Sequence, residues 1–327
     1  MVKAEKERKR VCVTGAGGFV ASWLVQRLLS SGDYVVHGTV RDPSDPKNAH
    51  LKEMDGAGER LRLFKADMMD YASVAAAVAG CCGVFHVASP VPSTKPLNPD
   101  AEVLVPAVTG TRNVLTACHE ANVRRVVVVS SVAAVIVSPG VPNNDDAVLD
   151  EDAWSDEDYC RATENWYYLS KTLAEREALA YAADKAGRLD VVTVCPPLVL
   201  GPLLQPTMNF SSSIVVKVLK GGHGITVPDK KTNVVDVRDV ADALVLTFEN
   251  PAASGRYICS AYQVKVSEIA HIVNGFYPHV NYPKFVAGEE LKMVSSKKLQ
   301  ALGWKFRTLE ECLRDSVDSY RAAGALK

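Results

Sequence analysis

The sequence predicts an α/β fold in which a doubly wound parallel sheet carries a smaller C-terminal lobe. Three observations lead there. Short β-branched runs alternate with helical periods through residues 1–195, the strands are mainly apolar without a regular polar face, and a glycine-rich turn joins the first strand to the first helix. Strands without polar alternation belong to a sheet covered on both faces.

Residues 11–14 read as the first strand, 20–29 as the first helix, 34–40 as the second strand and 61–64 as the third. A short helix over 74–78, a strand over 83–87, a helix over 101–121 and a strand over 125–129 continue the alternation. Trp166, Leu169 and Leu173 recur at helical spacing, which predicts a long helix over 164–185, and 190–195 returns as a buried strand.

Beyond residue 195 the texture changes. Pro196, Pro197, Gly201, Pro202 and Pro206 crowd one short interval, and Gly221, Gly222 and Gly224 follow. Residues 1–195 are therefore expected to form a Rossmann-type dinucleotide-binding domain, and 196–327 mainly a substrate-binding lobe. The chain is expected to revisit the first domain near 232–250, where 234–237 reads as one more core strand and 240–248 as a helix. The last helix is expected over 309–320, and the loop at 143–146 is the one segment of low complexity.

Lys and Arg number 37 against 38 Asp and Glu. That balance offers no broad attraction to polyanions and argues against nucleic acid as a partner. Residues 1–10 mix basic residues with Glu5 and Glu7 and lack the apolar core of a secretory signal. The longest apolar stretch, 126–137, is interrupted by Ser130 and Ser131 and is too short to span a bilayer. A cytoplasmic enzyme without a membrane partner is expected, as a monomer or a dimer.

The eight cysteines show no C-x-x-C pair and no metal-ligand spacing. They read as reduced, packed thiols, with a redox role left open for the adjacent Cys81 and Cys82. The acidic stretch 145–158 has no calcium-loop spacing and reads as solvated surface, so no metal is expected.

Directly after the first strand stands Thr14-Gly15-Ala16-Gly17-Gly18-Phe19-Val20-Ala21. Missing side chains let backbone N–H groups approach a pyrophosphate at a helix N-terminus, so Gly15, Gly17, Gly18, Phe19 and Val20 are expected to hold a dinucleotide. An NAD enzyme usually ends its second strand on a carboxylate, whereas Arg41 stands here, followed by Lys47. Two cations suit the 2′-phosphate of NADP(H). Neighbouring Asp42 and Asp45 leave a solvated basic loop as the other reading.

Asp67, ahead of Met68, is positioned either to accept from an adenine amino group or to cap its own loop. Val87, Ala88 and Ser89, with Pro90 next, end the fourth strand on the carboxyl side of the sheet, where ligands bind in such folds. His86 reads as a core residue.

Tyr167 and Lys171 lie four residues apart, on one face of the long helix. An ammonium beside a phenol favours the phenolate, so Tyr167 is expected to have a lowered pKa and to donate a proton to a developing alkoxide. Ser131, closing the fifth strand, is expected to hydrogen-bond the same oxygen. Ser130 competes with it, because strand alternation points only one of the two into a site. The Tyr-x-x-x-Lys spacing is common by itself and gains weight from the glycine turn and the strand-end serine.

These residues resemble the extended short-chain dehydrogenase/reductase family from about Lys9 to the last helix. Within it they are most similar to the plant cinnamoyl-CoA reductase and dihydroflavonol reductase group. The carrying segments are residues 13–19, Thr39-Val40-Arg41-Asp42-Pro43, residues 84–90, Asn165-Trp166-Tyr167 and residues 198–207. The resemblance implies Ser131, Tyr167 and Lys171 as a catalytic triad and NADP(H) as cofactor. It assigns Pro197 and Val199 to the cofactor and Pro90, Val132 and Lys217 to the substrate, with Lys217 toward a CoA phosphate or solvent.

The implied activity is NADPH-dependent reduction of hydroxycinnamoyl-CoA thioesters to aldehydes, or reduction of a ketone or aldehyde as in the dihydroflavonol reductases. Two departures keep both open: the family's Asn-Trp-Tyr-Cys-Tyr-Gly-Lys is Asn165-Trp166-Tyr167-Tyr168-Leu169-Ser170-Lys171 here, and its histidine three residues before Lys217 is Ile214. A non-catalytic NADP(H) sensor of this fold would lack the Tyr and Lys. A sugar-nucleotide epimerase or dehydratase would ordinarily use NAD.

Overall fold

The computed structural model describes residues 8–91, 94–139, 148–185, 187–221, 226–278, 282–288 and 291–326. Gly222, Gly224, the loop 143–146 with its Asp145 and Asp146, and residues 1–7 of the N-terminal stretch lie outside the described residues.

The chain runs β1 (Lys9–Val13), α1 (Phe19–Ser31), β2 (Tyr34–Val40), α2 (Ala49–Lys52), α3 (Ala57–Arg60), β3 (Leu61–Lys65), α4 (Tyr71–Val78), β4 (Gly83–His86), α5 (Val105–Glu120) and β5 (Arg125–Val129). It continues through β6 (Val148–Leu149), α6 (Glu157–Ala162), α7 (Trp166–Asp184), β7 (Asp190–Cys195), β8 (Leu198–Leu200), α8 (Phe210–Lys220), β9 (Thr226–Asp229), β10 (Lys231–Asp236) and α9 (Val237–Glu249). β11 (Gly255–Ile258), β12 (Tyr262–Lys265), α10 (Val266–Phe276), β13 (Lys284–Ala287), β14 (Met293–Val294), α11 (Lys297–Ala301) and α12 (Leu309–Ala322) complete it.

Seven strands form one parallel sheet in the order β11-β7-β5-β4-β1-β2-β3. This is the doubly wound order, which reverses between β1 and β4 and opens a crevice at the carboxyl ends of those strands. Apolar residues cover both faces. On one side Leu24, Val25 and Leu28 of α1 pack with Val240 and Leu244 of α9 against Val11, Val127 and Val192. On the other, Val74, Val114, Leu115 and Ala178 cover Val84 and Val126.

Two features of the predicted layout differ. The apolar run at 234–237 does not join this sheet; β10 pairs antiparallel with β12 and parallel with β8 in a separate three-stranded sheet. The strand that returns to the large sheet is β11, whose Gly-Arg-Tyr-Ile sequence gave no apolar signal. The following helix does return, since α9 lies on α1. Part of the acidic stretch is also ordered locally, in β6 and in α6, which Asp156 caps by accepting from Tyr159 N–H at 2.7 Å.

Arg125 locks the returning segment. Buried at the start of β5, it donates to the carbonyls of Thr247, Asn250 and Ala253 at 2.8, 2.6 and 3.1 Å and to Asp190 at 2.6 Å. The C-terminal end of α9, where carbonyls lack intrahelical partners, is thereby satisfied by one guanidinium.

A second core, built from Leu200, Val216, Val234, Ile269, Leu313 and Tyr320, belongs to the C-terminal elements. Trp23 of α1 reaches it indirectly by donating its indole N–H to Pro202 O at 2.8 Å. All eight cysteines are free and all but Cys82 are buried. No helix among the described residues is long and apolar enough to cross a membrane.

Candidate active site

The glycine turn is built by its neighbours as much as by its own sequence. Gly15 has φ of 66°, a left-handed conformation that disfavours any side chain. Its N–H donates to Thr39 Oγ1 at 3.0 Å, and Ala16 N–H donates to Thr39 O at 2.8 Å, which pins the turn to the end of β2. A Cβ at Gly15 would touch Ala88, and one at Gly17 would stand 2.2 Å from Asn48 Oδ1. Gly18 then caps α1 with no side chain over the helix N-terminus. The result is a cradle of backbone, free of side chains, at the positive end of a helix dipole.

Thr14 connects that cradle to β4. Its hydroxyl oxygen accepts from Val87 N–H and Ala88 N–H, both at 3.0 Å, and lies 3.0 Å from His86 Nδ1. His86 Nε2 lies 3.2 Å from Thr111 Oγ1, whose own proton goes to Ala107 O at 2.8 Å. Thr111 must therefore accept, so His86 carries its proton on Nε2 and takes the Thr14 proton on Nδ1. Burial, with Lys171 as a lesser cause, lowers the His86 pKa to about 3 and keeps the ring neutral. The residue read as core is a buried strut between the turn, β4 and α5.

Arg41 follows β2 directly, is exposed, and makes no hydrogen bond or ion pair among the described residues. Lys47 pairs with Asp45 at 2.6 Å, and the same aspartate caps the turn at Lys47 N–H. Asp67 caps its loop by accepting from Met69 N–H at 2.9 Å and is exposed. Met68 is half-buried, with its carbonyl taking Asn113 Nδ2 at 2.8 Å. Ser89 and Pro90 are half-buried beyond β4.

On the other side of the crevice, Ser131 stands two residues past β5 and caps a short helical turn. Its Oγ accepts from Ala133 N–H at 3.1 Å and donates to Pro196 O at 3.3 Å; Val132 N–H donates to the same carbonyl at 3.0 Å. Pro197 and Val199 follow immediately, with Val199 paired to Val235 across β8 and β10. Tyr167, in the first turn of α7, is buried, with its phenol close enough to Ser131 for that hydroxyl to oppose the effect of burial on it. Lys171, one turn on and 6% exposed, donates from Nζ to Val129 O at 3.1 Å.

The electrostatics differ from expectation. Burial raises the Tyr167 pKa above its ordinary value, opposed by Ser131, and Lys171 is not among the groups that act on it. Burial also lowers Lys171 to about 8, with Cys195 and Glu175 pulling the other way. Desolvation is the largest influence on both groups, and the ammonium donates to the Val129 carbonyl.

Sequence reasoning overlooked Glu175. It lies four residues past Lys171, is 1% exposed, and pairs with Arg256 Nε at 2.8 Å. The spacing that links Tyr167 to Lys171 extends to Glu175, and that repeat was the signal available. Lys217 is exposed on α8, without a hydrogen bond or ion pair among the described residues. No cluster of metal-ligating side chains occurs among the described residues.

Along the carboxyl edge of the sheet, Gly15 after β1, Ala88 after β4 and Ser131 after β5 stand in adjacent strand positions. The sheet order, the side-chain-free cradle and the Tyr-Lys helix define a dinucleotide-binding α/β protein of the extended short-chain dehydrogenase/reductase type. The chain belongs to the NAD dependent epimerase/dehydratase family, whose model matches residues 11–260.

Among curated proteins it is 46% identical to cinnamoyl-CoA reductase 2 of Medicago truncatula over 97% of this chain and 92% of that protein. It is 45% identical to cinnamoyl-CoA reductase 1 of Petunia hybrida, over 97% and 93%. Among solved structures, vestitone reductase from alfalfa (Medicago sativa) superposes with a TM-score of 0.84 at 32% identity, covering 98% of this chain and all of that one. Yeast methylglyoxal/isovaleraldehyde reductase complexed with NADPH superposes with a TM-score of 0.85 at 26% identity, covering 97% and 100%.

Proposed function

We propose that this protein is a cytoplasmic NADPH-dependent reductase of phenylpropanoid-type carbonyls, acting foremost on hydroxycinnamoyl-CoA thioesters. The observation that carries the reading is that Ser131 and the glycine cradle lie along one carboxyl edge of the sheet, with the buried Tyr167 phenol close enough to Ser131 for that hydroxyl to act on it. The named activities of the relatives and the NADPH in the yeast neighbour support it.

The residues present fit the cofactor. Gly15, Gly17 and Gly18 add no side chain of their own to the turn, where neighbouring groups already stand too close for a Cβ, and the first N–H groups of α1, at Phe19 and Val20, are disposed to take a pyrophosphate. Arg41, with no partner among the described residues, takes the 2′-phosphate, assisted by Lys47. Asp67 and Met68 flank the adenine; Val87, Ala88, Ser89, Pro197 and Val199 line the remainder. NADPH, when bound, supplies the hydride.

Ser131 and Tyr167 hydrogen-bond the substrate oxygen as negative charge develops on it. Tyr167 delivers a proton to that oxygen, and Lys171 holds positive charge behind the phenol. With a thioester, the resulting hemithioacetal breaks its C–S bond to release aldehyde and CoA. Pro90 and Val132 border the acyl group, and Lys217 meets a CoA phosphate. Residues 1–195 with the return through α9 and β11 form the cofactor lobe, the remainder the substrate lobe.

The likeness to vestitone reductase favours a second reading, in which a ketone or aldehyde is the substrate and protonation by Tyr167 ends the reaction. The test is NADPH oxidation with feruloyl-CoA and p-coumaroyl-CoA beside dihydroflavonols and simple aldehydes, with Tyr167→Phe as control. Thioester turnover that the variant loses supports the first reading; turnover of ketones or aldehydes alone supports the second.

A further inference from the structure

Two side chains fasten the segment that follows β2, with its Arg41 and Lys47, to the glycine turn. Asn48, 2% exposed, stands against Gly17 and donates from Nδ2 to Asp42 O at 2.8 Å, next to Arg41. His50, half-buried on α2, has Nδ1 3.0 Å from Lys47 O and Nε2 2.9 Å from Ser22 Oγ. Ser22, fully buried on α1, lies in turn 3.1 Å from Ala16 O, inside the glycine turn. His50 thus stands between the Lys47 loop and the cradle.

The protons of this relay can be counted. A carbonyl only accepts, so Nδ1 carries a proton for Lys47 O. In a neutral ring Nε2 is then bare, and Ser22 must give it the one hydroxyl proton, which leaves the buried Ala16 carbonyl without that donor. In the imidazolium, Nε2–H donates to Ser22 Oγ and the hydroxyl proton goes to Ala16 O. Of the two states, the charged ring is the one that satisfies all three contacts at once.

We propose that protonated His50 is a positioning residue for the cofactor: it ties the segment bearing Arg41 and Lys47 through Ser22 to Ala16, and binding of NADPH draws the proton onto it. The inference rests on the reading of Arg41 and Lys47 as the seat of the 2′-phosphate. Burial holds His50 below its ordinary pKa, with the Lys47 carbonyl and Glu53 pulling the other way, so the ring of the free protein is mainly neutral at pH 7. On its own segment the ring is met by Glu53 and by Lys47, whose ammonium is paired with Asp45 at 2.6 Å; α1 presents Ser22 and the turn Ala16, neither of which titrates. A 2′-phosphate on that segment adds negative charge and favours the imidazolium.

In protein labelled with 13C at the histidine Cε1, the His50 signal, assigned by its absence from His50→Gln, is titrated free, with saturating NADPH and with saturating NADH. The midpoint is expected to rise by about one pH unit with NADPH, roughly a tenfold gain in proton affinity, and to stay in place with NADH, which lacks the phosphate. By reciprocity, wild-type affinity for NADPH is expected to fall between pH 6 and pH 8 several-fold more than that of His50→Gln, within a limit of about tenfold. The phosphate's own ionisation is common to both proteins and cancels in that comparison.

Ser22→Ala cuts the relay and is expected to weaken NADPH binding several-fold at pH 6 and little at pH 8; it is also the variant to read if His50→Gln does not fold. A His50 midpoint that NADPH leaves in place, or that NADH raises equally, overturns the proposal, as does an equal loss at both pH values in Ser22→Ala, which would make the serine a structural strut. Undiminished NADPH affinity in Arg41→Ala would instead overturn the phosphate assignment, and the wild-type His50 titration is read without it.

Discussion

Ser130 and Ser131 are neighbours in sequence and face opposite ways: Ser130 donates to the buried Glu175 at 2.8 Å, while Ser131 donates to Pro196 O and meets the Tyr167 phenol. Alternation just past β5 sends the two hydroxyls to different partners, and on the proposed reading only Ser131 serves the chemistry. Ser131→Ala is expected to reduce turnover about 100-fold with little change in Tm. Ser130→Ala is expected to retain the chemistry and lose about 1–3 kcal/mol of stability, because a buried carboxylate forfeits a donor. Paired kinetics and thermal unfolding of the two variants decide the assignment; equal kinetic losses would reject it.

Tyr167→Phe keeps the ring and removes the proton. Turnover should drop roughly 10²- to 10⁴-fold, while NADPH affinity, followed by fluorescence, should hold to within a few-fold. A large loss of affinity would mean that the phenol acts on the cofactor.

Arg41 has no partner among the described residues, so its removal leaves no charge stranded. Arg41→Ala should weaken NADPH binding by about 1.5–3 kcal/mol, the worth of a charged hydrogen bond, and leave NADH binding nearly unchanged. Calorimetric titration with both nucleotides checks this, and a parallel loss for NADH would reject the phosphate assignment.

Gly17→Ala places a methyl group 2.2 Å from Asn48 Oδ1, so the buried Asn48 side chain, which donates to Asp42 O at 2.8 Å, must shift. Both cofactor affinity and Tm should fall, and Asn48→Ala in the same chain should recover part of each.

Lys171 is 6% exposed, and burial, its largest cause, brings it from 10.5 to about 8. A base with a depressed folded pKa binds fewer protons folded than unfolded between those values, so its penalty on stability is full below pH 8 and is relieved as pH rises toward 10.5. Lys171→Met should accordingly gain about 3 kcal/mol near pH 7 and lose that advantage near pH 10.5, while turnover collapses. Urea unfolding at several pH values measures the difference; a pH-independent gain would contradict the shift.

The parts legible in the sequence were those governed by local rules. Strands β2, β5 and β7 coincide with their apolar runs because strands buried on both faces need no alternation. The glycine turn, Ser131, Tyr167 and Lys171 follow from order and spacing. What escaped depends on partners distant in the chain. β11 contains Arg256, which reads as exposed until Glu175, 81 residues earlier, supplies the countercharge. The run 234–237 has the texture of a core strand, yet pairing, which no local pattern encodes, sends β10 to another sheet. The Tyr167 pKa was misjudged for a related reason: proximity along a helix says nothing of what burial does to both groups.

The position of β11 at the sheet edge also bears on biosynthesis. After β7 has emerged from the ribosome, about 60 more residues must be made before its neighbour exists, which takes roughly 3–12 seconds at usual elongation rates. Throughout that interval one flank of an apolar strand stands open, and with it the buried seat of Glu175. A nascent chain of this protein is most prone to stray pairing there, and it is where a chaperone would have most to shield.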